Sequence, residues 1–306
     1  MRWLAWRQLR AQAAVLVAAL VVVVVALVAT RPHLVEVYGP SGDGELTGFY
    51  VWLRLLGTVL IGLPAVIGAF WGAPMIAGEL EERTHRLAWT QSITRDRWLI
   101  VKLALTAAVA MAVVGIFAAV FTWWSAPIDA SAASRISPAN FAQRGFVSIG
   151  YTLFALTIGV LLGAVARRTL PAMAATFVAF FIVRMAIQKL VRPHLASATT
   201  LRTDLFGPGP RGGWALSTRT VDSAGHPVSG QGLENHLTDV CHITRATPDV
   251  DKALGTCARQ LGIRNLTQVI PSSSFWHLQA VELVIFVGLA AGITGATFWW
   301  IRHRVT

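Results

Sequence analysis

Six long apolar stretches organise this chain, at about residues 13–29, 51–77, 99–124, 146–165, 171–190 and 276–301. A helix needs about 20 mostly apolar residues to cross the hydrocarbon core of a bilayer, and each stretch is near that length. The polar segments between them are rich in Pro, Gly and charged residues, as loops are. The pattern predicts an all-α membrane protein with six transmembrane helices.

Composition agrees with this interpretation and also decides how the net positive charge is interpreted. Hydrophobic residues make up 55% of the 306 residues, charged residues 13%, and the mean hydropathy is +0.58, which excludes an ordinary soluble domain. The formal net charge is +11. Basic residues lie at span ends, at Arg167, Arg168, Arg302 and Arg304, where they orient a membrane protein, so we infer a lipid bilayer as partner and no nucleic acid.

The same charges set the predicted topology and domain division. Residues 1–191 are predicted to form a membrane domain that begins with an interfacial N-terminal helix over Arg2–Arg10. Residues 192–275 form a small extracytoplasmic domain between spans five and six, and residues 276–306 hold the sixth span and a tail. Six spans and the positive-inside rule predict a multi-pass protein of the cell (plasma) membrane with both termini cytoplasmic.

The extracytoplasmic segment contains both cysteines. Alternation over Trp214–Val228 is typical of a hairpin, and a helix is predicted from an N-cap at Thr247 to Gly262. Val250, Leu254, Cys257 and Leu261 share one face of that helix, and Cys241 is the only intrachain partner for Cys257. We predict a Cys241–Cys257 disulfide. A metal site that adds His236 and His242 fits no standard zinc spacing, so no metal is predicted.

A charged segment, Ala73–Lys102, separates the second and third spans and must lie in water. At helical spacing, Leu80 and Leu87 fall on one side, whereas Glu79, Glu82 and Arg86 fall on the other. Such a helix suits the membrane surface and is placed to contact a partner.

The segment also resembles a known family signature. It reads Glu79, Glu82, Thr84, His85-Arg86-Leu87-Ala88-Trp89-Thr90-Gln91-Ser92, Arg95-x-Arg97-Trp98 and Lys102. This run is similar to the cytoplasmic coupling helix between spans two and three in the type 2 export class of ATP-binding-cassette permeases, the membrane-spanning subunits of these transporters. The residues that the resemblance assigns to ATPase coupling are Glu79, Glu82, Thr84, Arg86, Gln91, Arg95 and Arg97.

The resemblance implies a transport subunit that exports its substrate and docks on a separate ATPase subunit. It also implies a second permease copy, as a homodimer or with a paralogue, and a pathway lined largely by spans two and five. No cofactor is expected in this chain, because ATP and Mg belong to the implied partner. The three lysines, Lys102, Lys189 and Lys252, follow no Gly, so a phosphate-binding Gly-Lys loop is absent and the chain is predicted not to be an enzyme.

Three other interpretations remain. The charged segment is also compatible with an ordinary solvated loop whose arginines only fix topology. Glu81-Glu82-Arg83-Thr84-His85-Arg86 also spells the Glu-Glu-x-x-x-Arg motif of intramembrane prenyl-endopeptidase-like metalloproteases, whose glutamates activate a water. That family needs histidines in later spans, and His303 lies past the last span. A membrane sensor or scaffold with a ligand-binding external domain is the third.

Two features inside the spans complete the predictions. Arg184 of the fifth span and Glu282 of the sixth are placed about 10 Å deep from the same side, and their matched depth predicts an intramembrane ion pair. Three Gly-x-x-x-Gly motifs, at Gly68, Gly159 and Gly288, predict close helix approach, within one subunit rather than at a dimer seam.

Overall fold

The computed structural model describes residues 2–38, 57, 61–81, 95–131, 135–205, 213–228, 233, 237, 239–242 and 249–304. The described residues fall into two compact units. The first comprises Met1–Ser131, Ala139–Arg192 and Trp276–Thr306, and the second comprises Ala132–Pro138 and Pro193–Phe275.

Six helices in the described part of the chain are long and apolar enough to cross a membrane. Spans 1 to 6 are, in order, Arg2–Tyr38, Ile61–Glu81, Arg95–Ser131, Val147–Ala166, Thr169–His194 and Phe275–Arg304. A short helix, Pro138–Phe141, precedes span 4. The six apolar stretches of the sequence therefore each become one long helix, and the protein is a multi-pass membrane protein.

Span 1 is longer than the apolar stretch that predicts it. The helix runs without a break from Arg2 to Tyr38, so the segment Arg2–Arg10 is continuous with the span. The physical reason is that no Gly or Pro lies between Arg10 and the apolar run, so nothing ends the first turns. Span 1 packs along span 3, where the indole Nε1 of Trp124 donates to the Thr30 hydroxyl at 3.2 Å.

The first unit, which contains the spans, is called the membrane unit. Span 4 is its central helix and packs against spans 2, 3 and 5. Its glycines permit the approach of span 2: a Cβ on Gly159 would meet the backbone of Gly68 and Ala73. A Cβ on Gly68 would meet the backbone of Ala155 in turn. Packing within one subunit is thus confirmed for these two motifs. At Gly288 in span 6, a Cβ would meet no described atom within 4 Å.

The second unit corrects the all-α prediction, because it contains a three-stranded antiparallel sheet in the order β1-β3-β2. The strands are β1 Thr199–Asp204, β2 Gly213–Val221 and β3 Arg264–Pro271. Residues 199–204 and 264–271 contain Thr, Val and Ile, which favour strands. The pairing of strands about 60 residues apart was not visible in a local pattern.

The local predictions for this unit are partly correct. Residues Gly213–Val221 form a strand and a turn follows, in which the Asp222 carboxylate accepts bonds from the Ala224 and His226 amides. Strand β2 pairs along its length with β3. After the turn, Val221 bridges Pro227, and the Val228 amide donates to the Thr220 carbonyl at 2.8 Å. The predicted hairpin is therefore present only around the turn, as part of a larger sheet.

The predicted helix is present as Val250–Gln260, with Asp249 at its N-cap, whereas Thr247 lies outside the described residues. Gly262 ends it with φ +71°, a left-handed conformation that Gly adopts without strain. The amide of Ile263 donates back to the Ala258 carbonyl at 2.8 Å, as in a helix C-terminal motif.

Cys241 and Cys257 form the predicted disulfide, with their Cα atoms 6.2 Å apart, in the normal range. Cys257 lies in a small apolar core with Leu237, Leu254, Ala258 and Ile263. The predicted helix face is therefore correct in its middle, while Val250 and Leu261 at its ends are exposed. Both sulfurs of the alternative metal site are therefore bonded to each other, and its His236 lies outside the described residues.

We predict that Gly159→Ala lowers the folded yield of the protein, because the new methyl group forces spans 2 and 4 apart. Gly288→Ala is the matched control, a methyl added where the described chain leaves open space. Monodisperse yield in detergent checks both variants. Equal yields would contradict the close approach described for Gly159.

A second prediction concerns the disulfide. Cys241→Ser should destabilise the second unit by about 3 kcal/mol, since the bridge restricts the unfolded chain. Urea-dependent proteolysis of this unit provides the measurement. Cys257→Ser and the double variant should show the same loss, because either change removes the whole bond; a larger loss in the double variant would mean that the two thiols act separately.

Candidate functional site

A cluster of buried polar side chains lies among spans 4, 5 and 6 of the membrane unit. In span 6, residues Leu278, Glu282 and Phe286 recur at helical spacing and are fully buried. In span 5, the buried face carries Ala172, Thr176, Phe180 and Arg184, each four residues after the last. Glu282 and Arg184, the two charged residues among these, therefore occupy positions where the apolar pattern places core side chains.

A π-helical turn brings a second arginine to the same region. Ile187–Val191 form this turn, and the backbone amide of Arg192 donates to the carbonyl of Ile187, five residues earlier. A π turn inserts one extra residue into a helix, so Arg192 follows Ile187 on the buried side instead of turning outward. Arg192 is fully buried.

Arg192 and Glu282 form a two-pronged ion pair. The Arg192 Nε atom donates to Glu282 Oε2 at 2.8 Å, and its Nη2 atom donates to Oε1 at 2.8 Å. Tyr151 of span 4 donates its hydroxyl to the same Oε1 at 2.5 Å and accepts from Arg192 Nη2 at 3.2 Å. This parallel geometry is the strongest form of a guanidinium–carboxylate contact. Three spans are thus joined at one carboxylate.

The structure corrects the predicted partner of Glu282, which is Arg192 and not Arg184. The guanidinium of Arg184 lies 5.3 Å from the centre of the Tyr151 ring, on the edge of the cluster. The apolar pattern ends span 5 at about Leu190, before Arg192, whereas a π turn and a short 3-10 turn continue the helical chain to His194. Arg184 is buried all the same, and its Nε atom has no hydrogen-bond partner among the described residues.

A second buried polar residue, Gln279, fixes the start of span 4. Its Oε1 atom accepts from the Val147 amide at 2.8 Å, and its Nε2 atom donates to the carbonyls of Phe141 and Arg144 at 3.0 and 2.9 Å. A side-chain amide here satisfies backbone groups that no helix partner reaches. Sequence reasoning missed Gln279. Its position three residues before Glu282, on the same face of span 6, is the signal that could have found it.

At the ends of the spans away from the buried cluster, the structure describes the two ends of the charged segment, residues 73–81 and 95–102, which are called its root below. Glu82, Thr84, Arg86 and Gln91, which the resemblance assigned to ATPase coupling, lie outside the described residues. Arg95 begins the helix of span 3, and Arg97 is exposed.

Glu79 forms an ion pair with Lys102 across spans 2 and 3. The Lys102 Nζ atom also lies 5.0 Å from the centre of the Trp98 ring. This pair joins the two helix ends between which the charged segment emerges.

Glu81 links the same root to span 5. One carboxylate oxygen, Oε2, accepts from the Thr169 amide at 3.0 Å and from its hydroxyl at 2.8 Å. Thr169 is the first residue of span 5, so Glu81 caps a helix N-terminus from another helix. Sequence reasoning missed this contact because capping residues are usually sought next to the helix that they cap.

A further polar contact on the same side of the membrane unit joins the ends of spans 4 and 6. Arg167, just after span 4, donates from Nη2 to the carbonyl of Arg304 at the end of span 6 at 2.8 Å. The ends of spans 2, 4, 5 and 6 are thus connected by polar contacts around the root of the charged segment.

These features define a multi-pass membrane protein with a charged cluster inside its helix bundle and a charged segment anchored to three spans. The chain belongs to the family described as ABC-2 membrane transporter related, which it matches over residues 17–192. No curated protein and no solved structure matches the chain. The family makes the chain a membrane transporter component.

We predict that Arg192→Gln destabilises the membrane unit by about 3 to 5 kcal/mol, because it breaks the two-pronged ion pair of the buried Glu282 carboxylate. Arg168→Gln is the matched control, since Arg168 is exposed just before the start of the same span. Thermal unfolding in detergent checks both variants. An Arg192→Gln protein as stable as the control would contradict the buried pair.

Proposed function

We propose that this chain is the membrane permease subunit of an ATP-binding-cassette exporter and that a separate ATPase subunit supplies its energy. The observation that carries the proposal is the family match over residues 17–192, which contains the whole charged segment. Spans 1 to 5 fall within or overlap that range, so the match covers the greater part of the membrane unit.

The contacts around the charged segment support a coupling role. Motion of a docked partner needs a rigid path to the spans, and the Glu79–Lys102 pair fixes both ends of the segment to spans 2 and 3. Glu81 adds a direct link to the first residue of span 5. We infer that a displacement of residues 82–94 is passed to spans 2, 3 and 5 together.

The coupling residues divide into two groups on this basis. Glu79 has a partner within its own chain, so we assign it an anchoring role. Glu82, Thr84, Arg86, Gln91, Arg95 and Arg97 are proposed to meet the ATPase because the resemblance assigns them to coupling. ATP and Mg would be held by that partner, and a second permease copy or a paralogue would complete the transporter in the cell membrane, with both termini cytoplasmic.

The same contacts disfavour the protease alternative. A catalytic glutamate must be able to accept a proton from a water. One oxygen of the Glu81 carboxylate instead accepts from two donors of Thr169 and so holds the side chain at the start of span 5. The second glutamate of the motif, Glu82, lies outside the described residues.

We predict that Glu82→Lys weakens docking of the ATPase by roughly thirty-fold or more, since reversing an interfacial charge costs several kcal/mol. A photo-crosslinker placed at Gln91 in native membranes, followed by mass spectrometry, measures capture of a nucleotide-binding subunit. Glu45→Lys, in the loop predicted to lie outside, is the matched charge reversal.

Capture that is lost in Glu82→Lys and kept in Glu45→Lys is the expected result. Equal capture in both variants would contradict the proposal. So would the absence of a nucleotide-binding subunit among the crosslinked products of the chain that keeps Glu82.

A further inference from the structure

The buried cluster in spans 4, 5 and 6 holds two arginines and one carboxylate among the described residues. Glu282 is occupied by Arg192 and by the Tyr151 hydroxyl. Arg184 is only 6% exposed and has an Nε atom without a hydrogen-bond partner. The Arg192 Nη1 atom is likewise buried without a hydrogen-bond partner in the described part of the chain. The cluster therefore has one positive charge more than it has carboxylates.

Such an excess charge is unfavourable inside a membrane protein. A guanidinium stays protonated in proteins, so Arg184 cannot relieve the imbalance by losing a proton. The face of the Tyr151 ring offsets only part of the cost, because a ring quadrupole is weaker than a full negative charge. An anion beside Arg184 would balance this charge.

The surface beside Arg184 indicates what kind of molecule carries that anion. On the helix turn around it, Phe181, Ile182 and Met185 are 39%, 63% and 45% exposed, and all three are apolar. Arg184 lies ten residues before His194, the last residue of span 5, or about 15 Å along the helix. An acidic head group with an apolar body matches this combination of a buried cation and an apolar surface.

We propose that Arg184, assisted by the Nη1 atom of Arg192, binds the phosphate or carboxylate group of an anionic amphiphile. This inference deepens the proposed function and rests on it where it concerns substrate: the bound group belongs to the transported compound or to a membrane lipid. Arg192 is held in place by Glu282, whereas the Nε atom of Arg184 has no hydrogen-bond partner among the described residues. Arg184 is thus a binding residue and Arg192 is chiefly a positioning residue.

The test uses the purified full chain in phosphatidylcholine nanodiscs and follows its thermal unfolding. One arm adds phosphatidic acid to the bilayer, and the other adds inorganic phosphate to the buffer. Arg184→Gln removes the charge, Arg184→Lys keeps it, and Arg168→Gln removes an exposed arginine just before the start of the same span.

Phosphatidic acid should raise the midpoint for the natural chain, for Arg168→Gln and, less strongly, for Arg184→Lys. Arg184→Gln should bind at least about tenfold more weakly and lose the shift, the usual scale for a charge-assisted bond. Without any anion, Arg184→Gln should be at least as stable as the natural chain, because it removes an uncompensated charge. A merely structural arginine would show the opposite change.

Each outcome decides the proposal. A shift with phosphatidic acid alone identifies a lipid-like ligand, and a shift with inorganic phosphate identifies the anionic group itself as sufficient. No shift in either arm, an equal shift in Arg184→Gln, or an Arg184→Gln chain that unfolds or fails to fold without anion would overturn it. No ATPase enters this assay, so its failure leaves the crosslinking test of the proposed function unaffected.

Discussion

The membrane unit depends on how one carboxylate, Glu282, is accommodated where no water is available. A lone charge in a span costs several kcal/mol, so its partners must come from neighbouring helices in fixed positions. Arg192 and Tyr151 supply them from spans 5 and 4. Removing either partner breaks this two-pronged contact and costs several kcal/mol, whereas apolar contacts between the same helices tolerate exchange. The pair therefore specifies which helix faces meet.

The two ends of span 5 have different partners. At its first residue it is held by Glu81 of span 2, beside the charged segment, and near its last residues it is held by Glu282 of span 6. A helix fixed at both ends transmits a displacement as a rigid body more readily than one held only by apolar contacts. In the proposed exporter, this makes span 5 the element through which a docked ATPase acts on the buried cluster.

The sequence predicted the six spans and the disulfide because their signals are local. Apolar runs of spanning length need no tertiary information, and Cys257 had a single intrachain partner in Cys241. The Arg192–Glu282 pair was beyond the sequence, since a π turn shifts the helix register by one residue and leaves no mark on the apolar pattern. The sheet was missed for a related reason: β1 and β3 pair across about 60 residues.

The proposed function requires the charged segment on the cytoplasmic side, where ATP is available, and the second unit on the other side. Because Cys241 and Cys257 are bonded to each other, a cysteine introduced at Ser92 or Ser223 is the one reactive thiol in its variant. Labelling intact cells with a membrane-impermeant maleimide compares the two positions directly. The account predicts that Ser223→Cys reacts in intact cells and that Ser92→Cys reacts only after the membrane is opened. Reaction of Ser92→Cys in intact cells would contradict it.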